Sequence, residues 1–186
     1  MTLLGGVKKK HVLTRRGAQP DDVLFVSGPL GGAAAGLALL REGARLAADG
    51  RVEGAPAEVP SAAAARALRA SLDPDPPLRL ATALARARIA HAMIDVSDGL
   101  ADAVAQLATA SGVGARIEAG AVPVDEAARH WAQARGRAPL DLALAGGEDY
   151  ELVLAVPPRH ARRMGGLARG AHHAPLARIG TMTAAR

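Results

Sequence analysis

Apolar residues in this chain fall into short unbroken runs and longer stretches of helical spacing. Val23-Leu24-Phe25-Val26 and His91-Ala92-Met93-Ile94 have the length of buried strands. Leu100, Ala103, Val104, Leu107 and Ala108 recur at helical spacing, which predicts a helix from Asp98 to Ala110 burying Val104 and Leu107. Between Tyr150 and Val156, Tyr150, Leu152, Leu154 and Val156 alternate with Glu151, Val153 and Ala155, which reads as a strand with one strongly apolar face.

The remaining pattern fills in around these elements. Residues 2–4 read as the end of a strand, followed by a loop through Gly5-Gly6 and the basic run to Arg16. Ser27-Gly28-Pro29-Leu30-Gly31-Gly32 leads into an Ala/Leu helix over roughly 33–42, and residues 43–59 read as a surface loop. Ser61 is placed to cap a helix to about Ala70, which Asp73-Pro74-Asp75-Pro76-Pro77 ends before a helix from Leu78 to Ala90. Gly112 suits the left-handed position after the Asp98–Ala110 helix, and a short strand follows at Ala115-Arg116-Ile117-Glu118. Pro123 opens a helix carrying Trp131 that Gly136 closes; past Pro157-Pro158 come an Arg-rich helix to Ala168 and a last strand from Leu176 to Thr181. This order predicts an α+β (α/β layered) fold: one mixed β-sheet flanked by helices.

Composition narrows the picture. The 186 residues suffice for one domain, and 49% hydrophobic against 2% aromatic means a core of Ala, Leu, Val and Ile. Without cysteine there are no disulfides or thiolate metal ligands. The sequence shows no apolar segment of signal-peptide type and none long enough to cross a bilayer. The formal charge of +5 comes mostly from scattered Arg interleaved with acids; Lys8-Lys9-Lys10-His11 is the one dense run. With few aromatics to stack on bases, that charge argues against nucleic acid and for small phosphorylated ligands.

Three polar clusters carry candidate chemistry: Asp95/Ser97/Asp98, Glu148/Asp149/Glu151 and Arg15/Arg16. The first sits where a strand turns into a helix. Such a turn can present amides to phosphate, and its carboxylates can hold a hard divalent cation through oxygen. Asp95 follows an apolar strand directly, where a carboxylate needs a partner or a metal. A plainer reading stands beside this: Ser97 or Asp98 caps the helix and Asp102 favours its first turn. Gly146-Gly147 before the second cluster reads as a close approach to a ligand or simply as a turn. The Gly-rich loop at 28–32 lacks the Gly-Lys-Ser/Thr of a Walker A motif, and neither Gly-x-Ser-x-Gly nor His-Glu-x-x-His occurs. His172-His173 has no third ligand at a diagnostic spacing and reads as a solvated loop.

Taken together, the motifs resemble one family. Arg15-Arg16-Gly17-Ala18, Val26-Ser27-Gly28-Pro29-Leu30-Gly31 and Ala34-Ala35-Gly36-Leu37 match its middle section. Ile94-Asp95-Val96-Ser97-Asp98-Gly99-Leu100, Ser111-Gly112-Val113-Gly114-Ala115 and Gly146-Gly147-Glu148-Asp149-Tyr150-Glu151-Leu152 match its later section, in order. The family is thiamine-monophosphate kinase, of the aminoimidazole ribonucleotide synthetase superfamily. The resemblance implies ATP-dependent phosphorylation of thiamine monophosphate to thiamine diphosphate, with Mg2+, in a cytoplasmic homodimer that binds neither nucleic acid nor membrane. It implies that residues 1–186 are a single C-terminal domain, and that the family's N-terminal ATP-binding domain and an aromatic substrate contact beyond Arg186 lie outside them. By motif position Asp95 and Asp98 resemble magnesium ligands, Ser97 and Arg15 nucleotide contacts, and Glu148 a thiamine-phosphate contact; no residue is implied as a general acid, base or nucleophile. The chain departs from the family at Asp21-Asp22 (usually Gly-Asp), at Gly32 (commonly Asp), at Lys8 to Lys10 and at Ala83. Another ATP-using member of the superfamily, such as a purine-synthesis synthetase or a hydrogenase maturation protein, and a non-catalytic binding or dimerisation module are the alternatives.

Overall fold

The computed structural model describes residues 5–171 and 176–185. The expected strand end at 2–4 and the His172-His173 pair lie outside them. In chain order the elements are β1 (Val23–Val26), α1 (Gly32–Arg41), β2 (Arg45–Leu46), β3 (Val52–Glu53), α2 (Ser61–Leu72), α3 (Leu78–Ala87), β4 (Ala92–Val96), α4 (Leu100–Ser111), β5 (Gly114–Ile117), α5 (Glu126–Gln133), α6 (Pro139–Ala145), β6 (Glu151–Val156), α7 (Pro158–Ala161), α8 (Met164–Gly170) and β7 (Ala177–Thr183). Five strands form one sheet in the order β4-β6-β1-β7-β5.

The layered α+β class is as expected, and the three strands read from their apolar runs are neighbours in the sheet. The strand directions differ from a mixed sheet: every pairing within the five strands is antiparallel. The only parallel pairing among the described residues is an isolated bridge between Leu30 and Val124. Hydrophobic alternation is the same for both directions, so the sequence pattern does not separate them.

Both faces of β6 are covered, not one. Val153 and Ala155 join Leu24, Val26, Leu100, Val104 and Leu107 in one cluster, whereas Leu154 and Val156 pack with Phe25, Leu80, Leu84 and Met164 in another. Thus α4 lies on one face and α3 with α8 on the other. A third cluster joins α1, α2 and α5 around Ala35, Leu39, Leu68, Ala128 and Trp131. Alanine dominates it because the backbones approach closely: a Cβ on Gly36 would collide with the Ala67 carbonyl.

Local details depart from the sequence reading: the Arg-rich helix past Pro157 is two helices, α7 and α8, and the helix from Leu78 ends at Ala87 rather than Ala90. Residues 43–59 contain the small antiparallel hairpin β2–β3. Ser61 is the first residue of α2 rather than its cap; Pro60 holds the cap position and no side chain bonds the helix start. The helix after Pro123 begins at Glu126, capped by Asp125, whose carboxylate accepts from Ala127 N (2.8 Å) and Ala128 N (3.3 Å).

Trp131 shows how the third cluster closes at the surface. Its Nε1 donates to Glu42 Oε1 at 3.1 Å, Arg135 bonds the same carboxylate, and the Arg135 guanidinium sits 4.6 Å from the indole centroid. Glu42→Ala strands the indole N–H of a residue only 7% exposed. It is expected to cost about 1–2 kcal/mol, read from the urea midpoint; an unchanged midpoint would show that water replaces the carboxylate.

Candidate active site

After Val96 the chain turns through Ser97-Asp98-Gly99 into α4. Gly99 holds the cap position with φ 100°, and no side chain bonds the helix start. A Cβ on Gly99 would also collide with the Leu144 carbonyl. Neither Ser97 nor Asp98 therefore caps α4, and the plainer reading of these residues does not hold. Asp102 does sit in the first turn, where the helix dipole favours an acid.

Asp95 and Asp98 are exposed at this turn. Neither carboxylate has a hydrogen bond or ion pair with another described residue. Asp95 lies within β4 rather than after it, but β4 is the sheet's edge strand and Asp95 is exposed, so burial does not demand a partner for it.

A cavity of about 410 Å3 opens beside the turn, and Arg15, Asp95, Ser97, Asp98 and Gln106 line it. Residues far apart in sequence meet here because the segment around Thr14 runs along the free edge of β4: Met93 N donates to Thr14 O at 2.9 Å. The same segment is pinned to the end of α4, where Ser111 Oγ accepts from Gly17 N and Ala18 N at 3.1 Å. Arg15 then reaches over α4 and donates to Gln106 Oε1 at 2.9 Å, while the Gln106 amide donates to Asp102 one helical turn earlier. Asp102 and Gln106 thus orient Arg15. Their i, i+4 spacing in a helix following the Asp-x-Ser-Asp turn was the available sequence signal.

Glu148 stands beside this cavity, not among its lining residues. Its loop is tied to the same turn: Glu148 N donates to Ser97 O at 2.7 Å and Tyr150 N to Val96 O at 2.9 Å. The Tyr150 hydroxyl donates to Glu148 Oε2 at 3.1 Å. That bond holds the phenol pKa above its usual range, and the charges of Glu148, Asp95 and Asp98 add to the effect. Glu148, Tyr150, Asp95 and Asp98 therefore border one acidic patch. The loop is strained to put them there: Glu148 and Tyr150 have φ of 62° and 50°, left-handed values that side chains rarely adopt.

The expected Glu148/Asp149/Glu151 cluster does not act as one. Between two left-handed residues, Asp149 turns away from Glu148 and accepts from Gly31 N (2.7 Å) and Ala33 N (3.1 Å), supplying the cap that Gly31 cannot give α1. Burial raises the Asp149 pKa to about 6, against the lowering effect of the two amides; the charges of Glu151 and Asp125 add to the rise. Glu151 takes the Ser27 hydroxyl, and Ser27 Oγ in turn accepts from Leu152 N at 2.8 Å. Gly28 leaves room for it: a Cβ there would overlap the Glu151 carboxylate and push that side-chain end aside. The Gly-rich loop at 28–32 is therefore a tight connection built around Asp149 and Glu151.

Two exposed carboxylates and a serine do not make a complete metal cage. Among the described residues, no group of three or more His, Asp or Glu side chains is placed to hold a metal. A hard cation held by this pair would need its remaining oxygen ligands from outside these residues.

The family described as AIR synthase related protein, C-terminal domain, matches residues 19–186. The thiamine-monophosphate kinase of Escherichia coli (strain K12) is 36% identical over 181 residues, covering 97% of this chain and 50% of that protein. Among solved structures, thiamine-monophosphate kinase from Stenotrophomonas maltophilia K279a superposes with a TM-score of 0.81 at 31% identity, over 97% of this chain and 53% of that one. AaThiL complexed with AMPPCP and TMP superposes with a TM-score of 0.73 at 26% identity, over 94% of this chain and 48% of that one. The chain spans about half the length of the curated relatives it matches.

Proposed function

The chain belongs to the AIR synthase related family, as its C-terminal domain, and from that premise we propose that it supplies one half of an ATP-dependent kinase making thiamine diphosphate from thiamine monophosphate. The observation that carries the reading is the convergence of Arg15, Asp95, Ser97 and Asp98 on one cavity bordered by Glu148. Similarity to the thiamine enzymes, one of them solved with AMPPCP and TMP, favours this substrate over those of other superfamily members.

In this reading Asp95 and Asp98 hold Mg2+, which screens the charge on the transferring phosphoryl group when bound. Ser97 and Arg15 donate to nucleotide phosphate oxygens. Glu148, fixed by Tyr150, faces the positively charged end of thiamine monophosphate. The bond from the γ-phosphorus to the β-bridging oxygen breaks, and a phosphate oxygen of thiamine monophosphate forms the new one. That nucleophile is already an ionised phosphate oxygen near neutral pH. No general base is therefore needed, and the protein's task reduces to positioning and charge neutralisation.

The rest of the reading concerns what lies around the chain. The N-terminal ATP-binding domain of the family completes the nucleotide site, and residues 1–186 act as a single C-terminal domain within a cytoplasmic homodimer that uses neither nucleic acid nor membrane. Among the described residues no helix is long and apolar enough to cross a membrane.

Thermal melts of the chain with Mg2+, AMPPCP, both, and both with thiamine monophosphate test the reading. A rise in midpoint with both that exceeds the sum of either alone is expected; no rise in any arm would overturn it. Turnover by the 186-residue chain without the other half is expected to be near background. Rapid conversion of thiamine monophosphate would show that the chain's own cavity suffices.

A further inference from the structure

A second cavity, of about 290 Å3, shares Leu13 and Thr14 with the first and differs from it in charge. Every charged residue lining it is basic or a histidine: Lys10, Arg16, Arg88 and His91. In the first cavity Asp95, Asp98 and Asp102 oppose Arg15; here no carboxylate lines the wall.

Behind the wall lies Asp22, 2% exposed, with its two oxygens 3.1 and 2.9 Å from His91 Nδ1. Gln19 N donates to the same carboxylate at 2.8 Å. A carboxylate only accepts, so Nδ1 carries the proton, and the ring is fixed with Nε2 as its other nitrogen. Nε2 makes no hydrogen bond with a described residue. Asp22 thus plays the part that a buried acid plays behind a working histidine, setting its tautomer and orientation.

The remaining cations are placed but not neutralised. Arg16 spends only Nε, on Ala110 O at 3.2 Å. Lys10 and Arg88 have no ion pair with any described residue. Arg88 closes α3 in the left-handed conformation, φ 55° and ψ 39°, where glycine fits without cost and a longer residue pays about 1 kcal/mol. An arginine held there at a cost, beside two other basic side chains and an oriented imidazole, calls for a function.

We infer that this cavity is a phosphate-binding site, distinct from the Arg15 cavity, in which Lys10, Arg16 and Arg88 donate to a tetrahedral oxyanion and His91 Nε2 accepts from its protonated oxygen. The ligand class is inorganic phosphate or the terminal phosphoryl group of a small monoester. The cavity volume accommodates either, and the guanidinium forks suit phosphate oxygens. The inference does not depend on the kinase reading.

The test is calorimetry and thermal melting of the 186-residue chain with inorganic phosphate, and separately with glycerol phosphate, at constant ionic strength. Saturable one-site binding is expected. Binding of both ligands shows that the site reads the phosphoryl group; binding of inorganic phosphate alone restricts it to the free ion. Arg88→Gly removes the guanidinium at a backbone position glycine prefers. It is expected to melt no lower than the parent without phosphate, and to bind phosphate at least tenfold more weakly. Lys10→Ala is expected to act in the same direction. Arg15→Ala, in the neighbouring cavity, is expected to leave the phosphate affinity within about twofold. Three results would overturn the site: equal binding by Arg88→Gly and the parent, loss of binding in Arg15→Ala alone, or stabilisation that chloride reproduces at the same ionic strength.

Discussion

Asp95→Asn and Asp98→Asn, made one at a time, are expected to abolish the Mg-nucleotide-dependent rise in melting temperature and to leave the ligand-free melt unchanged. On the proposed kinase reading, and joined to the family's N-terminal domain, each is expected to lower turnover by at least about 10²–10³-fold, the scale seen when one stabilising group is removed from a developing charge. The separation of activity from stability follows from the geometry. Both carboxylates are exposed, neither bonds another described residue, and the start of α4 has no side-chain cap to lose. Asparagine keeps the shape and one oxygen but not the charge that a hard cation favours. Removing one of two neighbouring negative charges also relieves repulsion, so the ligand-free protein has no reason to weaken. A ligand-free melt that falls with the substitution would return Asp98 to a structural role. Normal turnover in both variants would remove the metal from this site.

How much of this was readable in advance can be judged residue by residue. The strands containing Leu24, Met93 and Leu154 announce themselves as apolar runs, and α4 by its period, because burial imposes both patterns directly on the sequence. The turn carrying Asp95, Ser97 and Asp98 was legible for the same reason: it joins the two clearest elements. Strand direction was not legible, since it depends on which distant strand pairs with which. Nor was the fate of Glu148-Asp149-Tyr150-Glu151. Adjacent acids look like one cluster in a sequence, but the left-handed φ at Glu148 and Tyr150 sends Glu148 towards the Asp95/Asp98 turn and Asp149 towards α1. Backbone strain of that kind leaves a sequence trace only when glycine bears it, as Gly147 does one residue earlier.

Asp149 gives the clearest pH dependence. Its folded pKa of about 6 lies above the unfolded value of 3.8, so between those values the folded state binds the proton more tightly. By linkage its contribution to stability is fully present below about pH 4, is lost as pH rises towards 6, and is flat above that. At 1.36 kcal/mol per pH unit, the loss attributable to this one group is ~3 kcal/mol. Other carboxylates titrate in the same range, so the measurement is a difference between the parent and Asp149→Asn, by urea unfolding from pH 4 to 8. Asparagine has no proton to lose and still offers one oxygen to the Gly31 or Ala33 amide. Its stability relative to the parent is therefore expected to climb by up to about 3 kcal/mol between pH 4 and 7 and then level off. Parallel curves would mean that the two amides hold the carboxylate ionised throughout. Asp149→Ala separates the charge from the cap. Both amides at the start of α1 lose their acceptor, at an expected cost of about 2–4 kcal/mol at pH 4 that shrinks towards neutral pH, because alanine, like asparagine, has no proton to lose. The loop that presents Glu148 also loses its anchor. With that anchor gone, the left-handed Glu148 and Tyr150 are free to relax, and thiamine monophosphate binding is expected to weaken more than Mg-nucleotide binding, because Glu148 borders the cavity while Asp95 and Asp98 line it. Equal weakening of both ligands would instead mean that the loop supports the β4–α4 turn through the Ser97 and Val96 carbonyls.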